Sequence, residues 1–266
     1  MTQSSAKIPT EVPPVIRRDQ NRVAELQLNR PERFNTLSGA TLECLSLHLT
    51  DIAKDPEVAV VIISARGKAF CTGHDMKEMH ANRERDFYDE LLANCSTMMQ
   101  SITTLPQPVI AQVQGIATAA GCQLVATCDL AVASEAASFA TSGINNGLFC
   151  ATPGVALGRA VSRKHALEML FTGDFISAER AIEIGLINRC VPADELAAAT
   201  IALAEQIAAK SRYAIRLGKQ SYYKQINEPL DAAYRSASTD LVNNLLSDDG
   251  VEGVNAFIEK RKPTWQ

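Results

Sequence analysis

Hydrophobic and polar positions follow two distinct patterns in the first half of the chain. Two short alternating runs, residues 15–17 and 23–28, flank the polar segment Asp19-Gln20-Asn21 and predict a β-hairpin. Continuous apolar runs at residues 58–63 and 108–113 are short and rich in β-branched residues, and the first leads directly into turn residues. Such runs are typical of strands buried on both faces of a sheet. The first half therefore predicts a sheet.

Helical patterns separate these strands and dominate the end of the chain. Ser38 is the expected N-cap of a helix that extends to about residue 53, and a polar helix is predicted over residues 85–102. Further strands are expected at residues 130–133 and 138–140, followed by helices at 194–209, 213–226, 229–246 and 253–260. Strands that alternate with helices indicate an α/β fold. We expect a mobile tail at residues 1–14, an α/β core at 15–192 and a helical C-terminal region at 193–266.

Composition excludes several classes of protein. The formal net charge is -4, with 26 basic and 30 acidic residues spread along the chain, so no basic surface for nucleic acid is expected. The seven cysteines are scattered without a CxxC pair or a metal-ligand spacing, which favours a reducing compartment and no metal. No secretory signal and no run of 18 apolar residues is present, so we expect no membrane association. We expect a cytoplasmic location, or a mitochondrial one for a eukaryotic protein whose transit peptide has been removed.

Two glycine-containing turns between a strand and a helix are the candidates for chemistry. They are residues 64–79, SARGKAFCTGHDMKEM, and residues 113–133, VQGIATAAGCQLVATCDLAVA. Small residues let a ligand approach the main chain, and a helix start directs free N–H groups outward, so two such turns facing one point could stabilise a developing oxyanion. The commoner interpretation is that these residues only allow close packing between helix and sheet. GxGxxG, GxxxxGK[ST] and GxSxG are absent, which disfavours dinucleotide sites, P-loops and serine hydrolases.

Several longer segments resemble the signature blocks of the crotonase (enoyl-CoA hydratase/isomerase) superfamily. They are LNRPERFNTLS, GKAFCTGHDMKEM, the run from PVIAQVQGIATAAGCQLVATCDLAVA to GLFCATPGVALGRAV, ALEMLFTGDFISAERAIEIGLINRCV and AFIEKRKP. Their order is that of the superfamily, and the resemblance covers about residues 20–263. AAGCQLVA and GLFCATPGVAL further resemble one subgroup of it.

The resemblance implies a spiral of repeated ββα units, assembly into a homotrimer or a dimer of trimers, and an acyl-CoA thioester substrate from fatty acid metabolism, with no other cofactor. It implies an oxyanion hole from the main-chain N–H groups of Thr72 and Ala120, beside Gly73 and Gly121. The residues expected to contact substrate or coenzyme A are Arg33, Gly73, His74, Asp75, Gly121, Phe257 and Lys260, and His74 is also a candidate catalytic residue. Lysine and arginine pair with phosphate, and phenylalanine can stack on adenine. The alternative is that Arg33 and Lys260 are surface charges and Phe257 is a core residue.

The chain departs from a standard hydratase at both acid-base positions. Gln123 and Gly143 stand where the superfamily places two glutamates, and neither side chain can exchange a proton at neutral pH. Each such group contributes about 10²- to 10⁴-fold to the rate, so ordinary hydration is not expected. His74 follows the Gly73 turn, as in a decarboxylase of the superfamily, which is the functional interpretation of this residue. The alternative is a loop histidine whose ring bonds a nearby carbonyl. For Asp75 the alternative to a substrate contact is a helix N-cap.

Three functions therefore remain open. The chain is an enzyme that acts on an acyl-CoA through an enolate, as a lyase, isomerase or decarboxylase. Alternatively, it is a non-catalytic acyl-CoA-binding or regulatory protein, or an assembly subunit that lends an interface to an active relative.

Overall fold

A computed structural model describes residues 12–266 of the chain. Residues 1–11 of the predicted tail lie outside the described residues. Within the described part, strands and helices alternate up to Val191, and every later element is a helix.

Ten strands form two sheets within the described residues. The larger sheet has the order β1-β2-β3-β5-β7-β10; β1 and β2 form an antiparallel hairpin, which confirms that prediction, and the other pairs are parallel. The smaller sheet has the order β4-β6-β8-β9. The strands are β1 Val15–Gln20, β2 Val23–Leu28, β3 Val60–Ala65, β4 Ala69–Cys71, β5 Val109–Val113, β6 Ile116–Thr118, β7 Leu130–Ser134, β8 Ser138–Ala140, β9 Ile176–Ser177 and β10 Arg189–Val191.

The helices complete a repeating unit in which a strand of the larger sheet, a strand of the smaller sheet and a helix follow one another. They are α1 Gly39–Lys54, α2 Met76–Ala81, α3 Arg85–Thr104, α4 Ala120–Thr127, α5 Ala151–Ala160, α6 Arg163–Thr172, α7 Ala178–Glu183, α8 Leu196–Ala208, α9 Arg212–Gln225, α10 Leu230–Leu245 and α11 Asp248–Ile258. Three repeats of the unit start at β3, β5 and β7. The predicted α/β spiral is confirmed.

The central strand β3 is buried on both faces, which explains its continuous apolar sequence. Val61 and Ile63 belong to the main core beneath α1, α3 and α4, while Val60 and Ile62 face a second core against α8. The predicted strand began two residues too early, at Val58. Val58 is 2% exposed but precedes the paired residues, so its burial, rather than strand pairing, produced the apolar pattern.

Helix α9 is attached to the core by a buried ion pair. The Lys219 Nζ lies 2.6 Å from the Asp129 Oδ2 and also donates to the carbonyl oxygens of Ile102 and Gln107. The Tyr223 hydroxyl donates to the other Asp129 oxygen at 2.9 Å. All three Lys219 donors are therefore satisfied, and α9 is fixed against the loop that precedes β5.

Many large apolar side chains of the C-terminal helices are exposed. Leu230, Tyr234, Leu246 and Ile258 are each more than two-thirds exposed. Apolar patches of this kind commonly mark sites of protein association. Separately, no helix of the described residues is both long enough and apolar enough to cross a lipid bilayer.

Candidate active site

The two predicted glycine turns meet at one end of the smaller sheet, beyond the carboxyl ends of β4 and β6. Strands β4 and β6 are parallel neighbours, so the turns that follow them emerge side by side. A Cβ added at Gly121 would lie 2.0 Å from the Cys71 carbonyl oxygen, and one added at Gly73 would lie 3.1 Å from the Ala120 nitrogen. Gly73 also has a φ of +89°, which favours glycine. Only residues without side chains let the two main chains approach this closely.

The Ala120 N–H is a main-chain donor at the centre of this junction. Ala120 is the first residue of α4, and Ala119 before it has a φ of 52° that turns the chain into the helix. The first hydrogen bond of the helix runs from the Gln123 N–H to the Ala119 carbonyl. The initial N–H groups of a helix have no acceptor within it. The Ala120 N–H therefore points out of α4 beside the Gly73 turn.

Thr72 does not supply the free donor that was expected. Its main-chain N–H donates to the Phe34 carbonyl oxygen at 3.2 Å, and its hydroxyl contacts the same oxygen at 3.3 Å. The next amide, that of Gly73, lies against the Cys71 thiol. The Thr72 N–H therefore already has an acceptor, and the prediction for Thr72 is wrong. The next N–H in the turn is that of His74, which has no hydrogen-bond acceptor among residues 12–266.

The His74 imidazole is neutral and has one unpaired nitrogen. Its Nδ1 lies 3.2 Å from the Leu37 carbonyl oxygen, so Nδ1 carries the proton and Nε2 is an acceptor. Burial lowers the pKa of His74, outweighing the opposite effects of the Leu37 carbonyl and Glu78. The Nε2 is buried without a hydrogen-bond partner among the described residues. The bond to a carbonyl, one of the two predicted interpretations, is present, but it leaves a basic nitrogen available.

Asp75 caps α2 and pairs with Arg33. The Asp75 Oδ1 accepts from the N–H groups of Lys77 and Glu78 at 2.9 and 3.2 Å. The Arg33 Nη1 lies 3.4 Å from the Asp75 Oδ2. Burial acts to raise the pKa of Asp75, but the two N–H groups and the Arg33 charge lower it overall. Asp75 is therefore an ionised N-cap, and its pairing holds Arg33 at the edge of the Gly73 turn.

Gln123 and Gly143, the two positions predicted to replace hydratase glutamates, differ in exposure: Gln123 is buried and Gly143 is partly exposed. Gln123 is 5% exposed, and its Oε1 has no hydrogen-bond partner among the described residues. Gly143 lies in the 3-10 helix Ser142–Asn146, where an added Cβ would be 2.6 Å from the Leu148 carbonyl oxygen and 2.8 Å from the Cys150 sulfur. Burial raises the pKa of the Cys150 thiol. A side chain at position 143 would therefore collide with its own loop.

Phe257 and Lys260 belong to a different surface in the single chain. Phe257 is 85% exposed, so it is not the core residue of the alternative interpretation. Lys260 follows α11 with a φ of 57°. Among the described residues, no side-chain hydrogen bond or ion pair links either of them to the Gly73 turn, and α11 packs on α9 and α10.

The sequence alone did not single out the His74 N–H or the buried Lys219. The one local signal for the His74 N–H is its place directly before Asp75, the predicted N-cap of α2. For Lys219 the one local signal was a lysine on an amphipathic helix, which is usually solvated.

Comparison with known proteins identifies the family. The family model described as Enoyl-CoA hydratase/isomerase matches residues 18–266. The chain therefore belongs to the enoyl-CoA hydratase/isomerase family, and the predicted resemblance is confirmed.

Individual relatives confirm the subgroup as well, which is the enoyl-CoA hydratase domain-containing protein 3 type. The chain is 50% identical to the mitochondrial protein of that name from Mus musculus, over 93% of this chain and 83% of the relative. It is 48% identical to the Homo sapiens protein, over 96% and 84%. A crystal structure described as enoyl-CoA hydratase of Mycobacterium smegmatis superposes with a TM-score of 0.94 at 50% identity, covering 96% of this chain and 99% of that one. The human protein 3 structure gives 0.92 at 49% identity, covering 95% and 100%.

Proposed function

We propose that this chain binds acyl-CoA thioesters and stabilises the enolate that forms when the thioester carbonyl is polarised. The observation that carries the proposal is the close approach of the Gly73 turn to the start of α4, with the Ala120 nitrogen 3.1 Å from the Cβ position of Gly73. A thioester oxygen seated there would meet main-chain donors that need no reorganisation. Such a donor contributes roughly 3–4 kcal/mol to the stabilisation of an oxyanion.

The two donors are the N–H groups of Ala120 and His74. The His74 amide takes the role expected of Thr72, because the Thr72 amide already donates to Phe34. Arg33, held by Asp75, would bind a phosphate of coenzyme A at the rim of the site. Its contact with the Asp75 carboxylate would then be replaced by a contact with the phosphate. Gly73 and Gly121 serve by having no side chain.

Proton transfer, where it occurs, is assigned to His74. Gln123 and Gly143 have no titratable group, whereas the His74 Nε2 is unprotonated, buried and without a hydrogen-bond partner among residues 12–266. A base of this kind suits proton removal from carbon 2 of an acyl-CoA, as in an isomerase, or from water, as in an unusual hydratase. Decarboxylation of a malonyl-type thioester is the alternative that needs only the oxyanion donors. Non-catalytic binding is the second candidate function, favoured by the absence of both carboxylates.

The exposed apolar side chains of α10 and α11 support assembly into a homotrimer or a dimer of trimers. In such an assembly Phe257 and Lys260 would complete the coenzyme A site of a neighbouring chain. The location we propose is cytoplasmic or mitochondrial, as all seven cysteines, which lie within the described residues, are free thiols.

The first experiment incubates the purified protein with enoyl-, malonyl- and methylmalonyl-CoA and follows product masses and retention. Gain of water supports a hydratase with His74 as base, an isobaric product supports an isomerase, and loss of carbon dioxide supports a decarboxylase. Unchanged substrate with measurable thioester binding leaves the non-catalytic function. No binding of any thioester refutes the proposal.

The oxyanion site is tested by Gly73→Ala, with Gly185→Ala as the matched control. Both glycines have positive φ, +89° and +82°, so both substitutions carry similar backbone strain. The Cβ at Gly73 would cover the Ala120 N–H, whereas the nearest atom to a Cβ at Gly185 is 4.0 Å away. Gly73→Ala should weaken binding of an enolate-like thioester analogue about 100-fold and leave free coenzyme A nearly unaffected. Equal losses for both ligands would contradict the assignment.

A further inference from the structure

A basic groove lies at the amino-terminal ends of the central strands β3 and β5, opposite to the end at which the Gly73 turn lies. The groove has a volume of about 460 Å³ and is lined by residues that precede β3 and β5, such as Val58 and Gln107. The Gly73 turn and α4 instead follow the carboxyl ends of these strands through β4 and β6. We propose that this groove binds an organic phosphate that carries a hydroxyl group. The proposal is independent of the proposed acyl-CoA function.

Four cations line the groove, in a chain whose net charge is -4. They are Lys54 at the end of α1, Lys210 after α8, and Arg212 and Arg216 in the first turns of α9. All four are exposed. Among the described residues, none of them takes part in an ion pair. Their charges are therefore available to a ligand.

The two arginines occupy positions that local energetics disfavour. Arg212 is the first residue of α9, where the helix dipole is positive, and a cation there is destabilising. Arg216 lies four residues further on, so the two like charges repel each other on one face of the helix. Lys54 and Lys210, by contrast, sit at helix C-termini, where cations are favoured. A bound anion would remove the penalty at Arg212 and Arg216.

The acidic side chain in the lining does not neutralise these cations. Among the described lining residues Asp55 is the single acidic side chain, and it pairs with Arg17, outside the lining, at 2.8 Å. The pKa of Asp55 is lowered, first by the Glu57 N–H and then by Arg17, with a smaller effect from Arg212. Asp55 is thus ionised but already paired, and the four cations still outnumber the one further negative group in the lining, the terminal carboxylate of Gln266.

Gln107 provides a polar acceptor in the same groove. The side chain is 7% exposed and its Nε2 donates to the carbonyl oxygens of Ile52 and Val58 at 2.8 and 3.4 Å. These bonds fix the orientation of the amide, because the nitrogen faces two acceptors. The Oε1 is buried without a hydrogen-bond partner among the described residues. A buried acceptor without a hydrogen bond is energetically unfavourable, and a hydroxyl group on a phosphorylated ligand would provide the missing donor.

The test measures binding of ribose 5-phosphate to the full chain by calorimetry, with inorganic phosphate as the second probe. We expect saturable binding with one site per chain. Loss of the two charge-assisted contacts in Arg212→Gln/Arg216→Gln should weaken it by about tenfold or more. Ribose 5-phosphate should bind about fivefold more tightly than inorganic phosphate, the effect of one additional hydrogen bond.

The matched control is Arg163→Gln/Lys164→Gln, which removes the same charge from the start of α6, outside the groove. Unchanged affinity in this control supports the site. Equal weakening in both double variants would show general electrostatic attraction and overturn the proposal, as would the absence of saturable binding. Equal affinity for the two probes would overturn the hydroxyl contact. All four substituted side chains are exposed or partly exposed, so the circular dichroism melts of the variants should match that of the parent chain.

Discussion

Replacement of Lys219 by methionine should strongly destabilise the chain. Lys219 is 6% exposed and Asp129 is 15% exposed, with their charged atoms 2.6 Å apart. Methionine has nearly the same length but no charge and no donor. The substitution leaves the Asp129 carboxylate with two donors, the Val109 N–H at 2.7 Å and the Tyr223 hydroxyl at 2.9 Å, and with no counter-ion in the part of the chain that the structure describes. It also leaves the carbonyl oxygens of Ile102 and Gln107 without this donor.

The magnitude follows from the burial of the partner that remains. Breaking a buried ion pair by removing one member typically costs about 3–5 kcal/mol, because an uncompensated charge is left in the interior. For a chain of this size each kcal/mol shifts Tm by about 2–4 °C, so Tm should fall by ~6–20 °C. An exposed lysine pair would be worth about 1 kcal/mol at most. The two cases are therefore well separated.

The assay is unfolding in urea and by calorimetry at fixed protein concentration, with Lys224→Met as the control. Lys224 lies on the same helix, is exposed and has no ion pair among the described residues. The control should change the free energy of unfolding by less than about 0.5 kcal/mol. Lys219→Met with Asp129→Asn should recover part of the loss, since no charge then remains buried. A loss below about 1 kcal/mol for Lys219→Met would refute the assignment of this pair as the attachment of α9.

Three further predictions concern the site. Because the pKa of folded His74 is lowered, the unfolded state binds a proton at higher pH than the folded state does, so the free energy of unfolding should fall as pH drops below about 6.5. His74→Gln should flatten this part of the plot of unfolding free energy against pH. An unaltered slope would count against a buried neutral ring. Asp75→Ala should cost about 1–2 kcal/mol at pH 7 and progressively less as the pH falls below about 3.8, because the pKa of folded Asp75 is lowered and its contribution is lost as the carboxylate is protonated. A loss independent of pH would contradict the ionised cap. Gly143→Ala should cost about 1–3 kcal/mol by displacing Leu148 or Cys150, while Gly158→Ala, where a Cβ meets nothing within 4 Å, should not destabilise in the same thermal melts. Equal melts for the two would show that the loop at Gly143 yields freely.

Periodicity and turn chemistry in the sequence were sufficient for the architecture. The alternating runs of β1 and β2, the doubly buried run of β3 and the caps at Ser38 and Asp75 are local features, and each is present in the fold. Local features can be read from sequence because a strand or helix is specified by the spacing of its own apolar residues. Strand ends were less accurate, as Val58 shows, because burial and pairing do not coincide.

The glycine turns could also be located, since glycine and alanine allow close approach wherever they lie. Whether an amide there is free depends on residues distant in sequence. The Thr72 N–H is occupied by Phe34, 38 residues earlier, and no local pattern indicates that bond.

What the sequence by itself determined is the fold class and the family; that Gln123 and Gly143 stand where a hydratase has its two glutamates remains a prediction from the sequence. Only the tertiary structure decided that the Thr72 N–H is already bonded and that, within residues 12–266, His74 has an unpaired nitrogen. It also decided that four cations from three helix ends share one groove with Gln107. The physical reason is that identity and spacing are properties of the chain, whereas hydrogen-bond satisfaction, burial and local electrostatic potential are properties of the neighbours that folding brings together.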